Sequence, residues 1–275
     1  MTLTPGQRAY FDAAGRLHKA IPTANAEKVR RVVHLLDRLA GVAWPEMRVL
    51  DLATGHGVYA LECALQGAGR VLGVDARTER MGKAAEIARE MGLRNVEFRQ
   101  GDVRNVSREF YGEWDAVLFL GLLYHLDAPD CFKALEAVAE MAPLLVIDTF
   151  VAAGKETVLY RERAYRGTRV REHKDGDSDA VKRARVRQSI DNEWSWYWTK
   201  ESLCEFLAQA GYPVVLEARV PLEPQKPSNR ITLAALKGLD LAVHTYPAMA
   251  PGGGDPWPGV RFPARRRKKR RKGRR

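Results

Sequence analysis

Through most of this chain, short apolar runs alternate with longer stretches whose apolar residues fall at helical spacing. The runs at 47–52, 71–75, 95–100, 114–120 and 143–149 have the length of buried strands, and 57–67, 77–91 and 128–141 between them read as helices. Strands and helices in this alternation predict an α/β fold with a doubly wound, mostly parallel sheet. Ahead of it, 4–20 and 24–40 read as two helices carrying Tyr10, Phe11 and Leu17, then Val29, Val32, Val33, Leu35, Leu36 and Leu39. The second helix should pack on the sheet. The first either closes over a ligand with Tyr10 and Phe11 or simply adds core aromatics.

The rhythm breaks after Asp148. Residues 151–198 form an insertion that caps the sheet, before a last helix at 199–210 that Gly211 ends. Strands at 213–220 and 230–237 then form an antiparallel pair and bring the sheet to seven. The division is therefore an N-terminal helical segment or lid at 1–40, a domain at 41–237 with the cap inside it, and a tail at 238–275. Proline and glycine fill the tail up to Pro263 and basic residues follow, a composition that buries no core and implies disorder.

The net charge of +11 needs to be located before it is used. Residues 261–275 hold eleven Lys and Arg and no acid, and without them the remaining 34 basic residues equal the 34 acidic ones. Basicity is therefore a property of the tail, which either binds nucleic acid, an anionic membrane or another polyanion or is a dispensable solubilising extension. The longest apolar run, 116–126, is too short to cross a bilayer and already contains His125. No apolar signal segment opens the chain, and Cys63, Cys131 and Cys204 are isolated without metal-ligand spacing. These features predict a cytoplasmic protein without a membrane span or a metal site, and leave its oligomeric state open.

The densest signal is Val49-Leu50-Asp51-Leu52-Ala53-Thr54-Gly55-His56-Gly57-Val58-Tyr59-Ala60, a strand, a glycine turn and a helix start. A second strand ends on Asp75, where a carboxylate can take both hydroxyls of a ribose. Gly55, Gly57 and Ala60 fit the dinucleotide fingerprint on their own. Two further acids favour a different cofactor: Asp51 at the end of the first strand suits an ammonium group, and Asp102 after the third suits an adenine amine.

This set of acid, glycine loop, acid and Gly101-Asp102 resembles the class I S-adenosylmethionine-dependent methyltransferases over roughly residues 45–237. The resemblance implies a Rossmann-like fold and S-adenosylmethionine as cofactor. It assigns Asp51, Ala53, Gly55, Gly57, Asp75, Asp102, Val103 and Leu120 to the cofactor, with Ala53 standing where the family loop often has glycine. The phrase Gly121-Leu-Leu-Tyr124-His125-Leu resembles a branch shared by tRNA wobble-uridine carboxymethyltransferases and sugar or natural-product methyltransferases. It leaves the acceptor open between a small molecule, a sugar or secondary metabolite methylated on O or N, and RNA. An NAD-binding or non-catalytic adaptor domain is the alternative outside the class.

A hydroxyl acceptor needs a base, and His125 after the fourth strand and His173 in the cap are the candidates. His125 alternatively positions the cofactor or its loop, and His56 reads as a cofactor wall. In the cap, Tyr124's neighbours aside, Arg171, Asn192, Trp194 and Trp196 are dense in hydrogen-bonding and stacking groups, and with Tyr124 they are the candidate acceptor residues. The tryptophans equally well glue the cap to the sheet. Ten basic against five acidic residues at 161–187 favour either an anionic acceptor or a solvated surface.

Overall fold

The computed structural model describes residues 5–21, 26–185, 188–219 and 229–238. Two helices, α1 (Pro5–Ala20) and α2 (Ala26–Leu39), lead into β1 (Arg48–Leu52), α3 (Val58–Leu65), β2 (Arg70–Asp75), α4 (Thr78–Glu90) and β3 (Val96–Gln100). After a short α5 (Arg108–Tyr111) come β4 (Ala116–Leu120), α6 (Asp130–Met141) and β5 (Leu144–Phe150). The cap contributes β6 (Glu156–Tyr160), β7 (Arg163–Arg171), α7 (Asp179–Ala184) and β8 (Trp194–Trp198). Last come α8 (Lys200–Gln209), β9 (Val214–Glu217) and β10 (Arg230–Leu236).

Seven strands lie in the order β3-β2-β1-β4-β5-β10-β9, parallel except for β10, which runs antiparallel to β5 and β9. Alternate residues of each central strand serve opposite faces. Val49, Ala116, Leu118, Leu144 and Val146 pack with Val32 and Leu36 of α2 and Ala60, Cys63 and Ala64 of α3. Leu50, Leu52, Val117, Phe119, Leu145 and Ile147 pack with Phe132, Leu135 and Val138 of α6 and Leu203, Phe206 and Leu207 of α8. Burial on both faces explains why these strands read as continuous apolar runs. The strand order reverses between β1 and β4, so a ligand crevice opens beyond their C-terminal ends.

The first helix does not reach that crevice. Leu17 and Ile21 pack against Leu61, Ala84 and Ile87, and the Tyr10 hydroxyl donates to the Glu62 carboxylate on α3. Tyr10 is thus a packing residue of the outer helical layer; the side chain of Phe11 lies outside the described residues.

The cap is a three-stranded antiparallel sheet in the order β6-β7-β8. Arg161 and Glu162 both take positive φ (46° and 65°), which makes the β6–β7 connection a tight hairpin turn. Trp196 N–H donates to the Leu126 carbonyl at 2.8 Å and Ala152 N–H to the Trp198 carbonyl at 2.8 Å, so main-chain bonds join the cap to the domain. Beneath it, Phe132, Trp198, Tyr165 and Phe206 form one aromatic cluster, Phe132 and Trp198 at 4.3 Å between centroids. The tail at 239–275 lies outside the described residues, and with it the expected disorder and polyanion binding of 261–275. Among the described residues no helix is long and apolar enough to cross a membrane.

Candidate active site

The turn after β1 is built on left-handed backbone: Ala53, Gly55 and Gly57 have φ of 58°, 56° and 72°. It exposes the Gly55 N–H, which donates to Asp75 Oδ2 at 2.8 Å, while the Arg77 N–H donates to Oδ1 at 2.8 Å. Main-chain donors from two loops therefore fix the Asp75 carboxylate. Gly57 has a packing role: a Cβ there would sit 2.6 Å from the Ala84 Cβ and 2.8 Å from the Phe98 ring, and one at Gly73 would sit 2.7 Å from the same ring.

A cleft of about 850 Å³, counted out to solvent, follows this turn. Ala53, Gly55, Asp75, Asp102 and Val103 line it, as does His125. Asp51, Gly57, Leu120 and His56 are not among its lining residues. Asp51 is only 2% exposed and accepts from Thr54 Oγ1 at 2.6 Å. Burial pushes its carboxyl up to about 7, and the neighbouring Asp75 charge adds to the effect while the Thr54 bond opposes it. Asp51 thus sits behind the turn it stabilises.

His125 follows β4 on a 3₁₀ turn spanning Leu123–His125. Its Nδ1 lies 2.9 Å from Glu172 Oε1 in the cap, and its carbonyl accepts from Asn192 Nδ2 at 2.9 Å. The Ser189 N–H donates to Glu172 Oε2 at 3.1 Å. Burial raises the Glu172 carboxyl, but the bond and charge of His125 and the Ser189 N–H outweigh it and hold the group below its usual range. An ionised Glu172 fixes the proton on Nδ1, and Nε2 is then the basic nitrogen of a residue in the cleft wall.

Other expected residues lie elsewhere. His173 is 1% exposed, its Nε2 3.0 Å from the Ser189 carbonyl and its Nδ1 3.4 Å from Arg185, so it braces the cap and does not line the cleft. Trp196 is 0% exposed and belongs to the core, with its ring against Gly167 where a Cβ would come within 2.4 Å. The expectation that it contacts an acceptor is corrected: strand alternation turns it inward. Trp194 stacks under Arg171 and Arg169, 5.1 and 5.6 Å from ring to guanidinium, and Arg171 also bonds Glu193 and the His173 carbonyl at 2.9 Å each. Neither lines the cleft, whereas Asn192 does.

Tyr124 stands in an aromatic corner, 4.8 Å from Phe150 and 5.9 Å from Tyr197 between centroids. Beside it Asp148 is fully buried and takes Lys28 at 2.8 Å, Arg230 at 2.6 Å and Thr232 at 2.8 Å. Burial raises the Asp148 carboxyl, and the two cations more than offset that and hold it low.

Sequence reasoning missed Glu172, Asp148 and two arginines that close the cleft. Arg104 holds Asp102 at 2.5 Å and reaches Asp191 at 2.9 Å and Asn192 at 3.2 Å. Burial raises the Asp102 carboxyl, but the Arg104 bonds prevail and hold it low. Arg77 reaches the carbonyls of Arg185, Gln188 and Ser189 at 3.4, 3.1 and 3.3 Å. The readable signals were an acid ending the apolar run 143–149 and an acid beside His173 in the cap; the arginine partners lie about 87 to 112 positions away.

The donor set fits a nucleoside-containing cofactor. Two carboxylates stand at the tips of adjacent strands, a glycine turn leaves room for close approach, and the cleft between them is open.

Residues 49–142 match the family described as "Methyltransferase domain". Over 115 residues the chain is 35% identical to the ribosomal protein L11 methyltransferase of Syntrophotalea carbinolica, covering 39% of this chain and 37% of that protein. It is 30% identical over 93 residues to the ubiquinone biosynthesis O-methyltransferase of Acinetobacter baumannii, 34% and 38% of the two chains. With the tRNA (guanine(6)-N2)-methyltransferase of Thermus thermophilus it shares 41% over 78 residues, 28% of this chain and 23% of that one. The chain therefore spans little more than a third of these relatives at most.

Among solved structures, the N-terminal domain of EvdMO1, crystallised in the presence of SAH and D-fucose, superposes with a TM-score of 0.61 at 18% identity, over 85% of this chain and 99% of that one. The magnesium protoporphyrin IX methyltransferase of Synechocystis PCC 6803 with bound SAH gives 0.53 at 18% identity, over 83% and 94%. Fold, strand order, glycine turn and family match agree: residues 49–142 belong to a methyltransferase domain, carried on a Rossmann-like sheet.

Proposed function

We propose that this chain transfers a methyl group from S-adenosylmethionine to an oxygen or nitrogen of a small molecule, of the sugar or secondary-metabolite class. The observation that carries the reading is the His125–Glu172 pair at 2.9 Å, a base held by a buried carboxylate in the wall of the cleft. When bound, the cofactor supplies an electrophilic methyl on a sulfonium. Its methyl would pass to the acceptor and leave a neutral thioether, and His125 Nε2 would take the proton that the acceptor's oxygen or nitrogen gives up. Glu172 stabilises the imidazolium formed in that step. Asp75 holds the ribose, and Gly55 allows the close approach. Asp51 orders the turn, and Gly57 lets α4 and Phe98 pack behind it.

A small acceptor is supported by the aromatic corner of Tyr124, Phe150 and Tyr197 next to the base, and by the enclosing cap. The fold neighbour crystallised with D-fucose points the same way. In this reading His173 positions the cap and takes no proton. Methylation of RNA is the second reading, favoured by the basic residues 261–275. Labelled S-adenosylmethionine, offered with panels of hydroxylated small molecules and with RNA, decides between them: label in RNA and in none of the small molecules overturns the proposal.

A further inference from the structure

Arg104, on the turn that follows β3, lines the cleft with a side chain 29% exposed. A guanidinium carries five N–H donors, all in its own plane. Here Nε donates to Asp102 Oδ2 at 2.9 Å and Nη2 to the same oxygen at 2.5 Å. On the other edge Nη2 reaches Asp191 Oδ2 at 3.0 Å, and Nη1 reaches Asp191 Oδ1 at 2.9 Å and Asn192 Oδ1 at 3.2 Å. Every N–H thus has an acceptor, and two carboxylates grip the group edge-on. With its edges taken, the surface it offers to the cleft is its flat, delocalised face.

Strand order decides what meets that face. Asp75 ends β2, the glycine turn and His125 follow β1 and β4 on one side of it, and β3 lies on the other. A nucleoside with its ribose on Asp75 and its reacting group toward His125 therefore lays its base toward the tip of β3, where Arg104 stands. Ala76, Val103 and Ile190 are apolar members of the same lining and suit a flat, weakly polar ring.

We infer that the Arg104 guanidinium is a stacking platform for the base of the bound cofactor, held rigid by Asp102 and Asp191. A cation of this shape attracts the π face of a base whatever hydrogen-bonding groups the base carries at its edge. Asp102 then serves first as the clamp of the platform, and a bond to the amine of the base is additional. Arg104 is the member of the cap-side network whose loss is read in cofactor affinity. The inference rests on the cofactor reading above.

Calorimetry on the full chain tests it with three ligands. S-adenosylhomocysteine has the whole base, S-inosylhomocysteine keeps the flat ring without the amine, and S-ribosylhomocysteine has no base. Arg104→Lys keeps the charge beside both carboxylates and removes the platform. Its expected loss is about 5- to 30-fold in affinity for the first two ligands and none for the third. Native affinity for S-adenosylhomocysteine in Arg104→Lys overturns the inference alone. So does a loss confined to the adenine ligand, which makes Arg104 a positioning residue for Asp102. An equal loss with S-ribosylhomocysteine overturns it too, since Arg104 then only braces the cleft. Should Arg104→Lys fail to fold, Asp191→Asn carries the same comparison with the platform loosened at one edge. A loss of about two- to fivefold with both bases is expected there, and no loss overturns the inference. If the native chain does not bind S-adenosylhomocysteine, the cofactor reading falls and takes the inference with it.

Discussion

On the sheet side of the cleft, Asp75 is held by the N–H groups of Gly55 and Arg77, donors that belong to the backbone. On the cap side, His125, Glu172, Arg104 and Asp191 are held mainly by one another's side chains, from strands and loops far apart in sequence. A main-chain site keeps its shape when its side chains change, provided the turn can still form. A side-chain network loses a member with every substitution and leaves the partner buried and unmatched. The two walls should therefore fail in different ways: the sheet side in affinity, the cap side in turnover or in folding.

The largest effect should come from His125. His125→Ala is expected to lower turnover about 10²–10⁴-fold while S-adenosylhomocysteine affinity stays within a few-fold. Glu172→Gln should lower turnover in the same direction and by less. A collapse of cofactor affinity in His125→Ala would place this residue on the sheet side of the comparison instead.

Trp196→Ala should destabilise the protein by about 3–5 kcal/mol, since a fully buried indole leaves a cavity that Gly167 cannot fill. Trp196→Phe should cost much less, because the indole N–H it removes has no partner among the described residues. Denaturant midpoints measure both. An Ala variant of native stability that has lost only acceptor binding would restore the sequence-based expectation for this residue.

Asp51 offers a pH test of the sheet side. Its folded carboxyl holds a proton up to about pH 7 against an ordinary value of 3.8, so the stability it contributes is complete below 3.8 and is lost as the pH rises toward 7. By linkage the loss amounts to up to about 4 kcal/mol. Asp51→Asn removes that dependence. Its stability relative to the native chain should therefore improve between pH 4 and 7 and level off above, as read by unfolding at several pH values.

Smaller still, Asp75→Ala should weaken S-adenosylhomocysteine by roughly 1–3 kcal/mol, the worth of charge-assisted bonds, with NAD not binding measurably. Tight NAD binding without the thioether would falsify the cofactor assignment. The smallest effect is a gain. Ala53 holds a left-handed φ of 58°, which glycine adopts without strain, and Ala53→Gly should stabilise the fold by up to about 1 kcal/mol. A loss of stability there would mean that the Ala53 methyl packs usefully against its neighbours.

The same contrast governs what could be read from the sequence. β1 and β2 announce themselves because both faces are covered, and Asp75 because a strand end and a glycine turn are local patterns. The helix expected at 128–141 begins at Asp130, since Pro129 stands at its N-cap. The cap hid its architecture. Arg163–Arg171 alternates arginine with small and aromatic residues and looks like a polar loop until Gly167 is paired with Trp198 and Arg169 with Trp196. The alternation of Trp194, Trp196 and Trp198 was nevertheless a strand signal, and it puts the three rings on one face. Glu172 and Arg104 gain their meaning from partners 47 and 87 positions away, separations that no local spacing encodes.

Phe98 joins the two sides of this history in another way. Its ring occupies the space that a side chain at Gly57 and one at Gly73 would both need. Neither glycine can enlarge alone; shrinking the ring opens room beside Gly73, while Gly57 stays blocked by the Ala84 Cβ and by its φ of 72°. Gly73→Ala should be poorly tolerated in the native background and better tolerated with Phe98→Leu, a non-additive pair. Strand β2 at Gly73 and the edge strand β3 at Phe98 are therefore coupled, and a substitution of that glycine runs through the phenylalanine first.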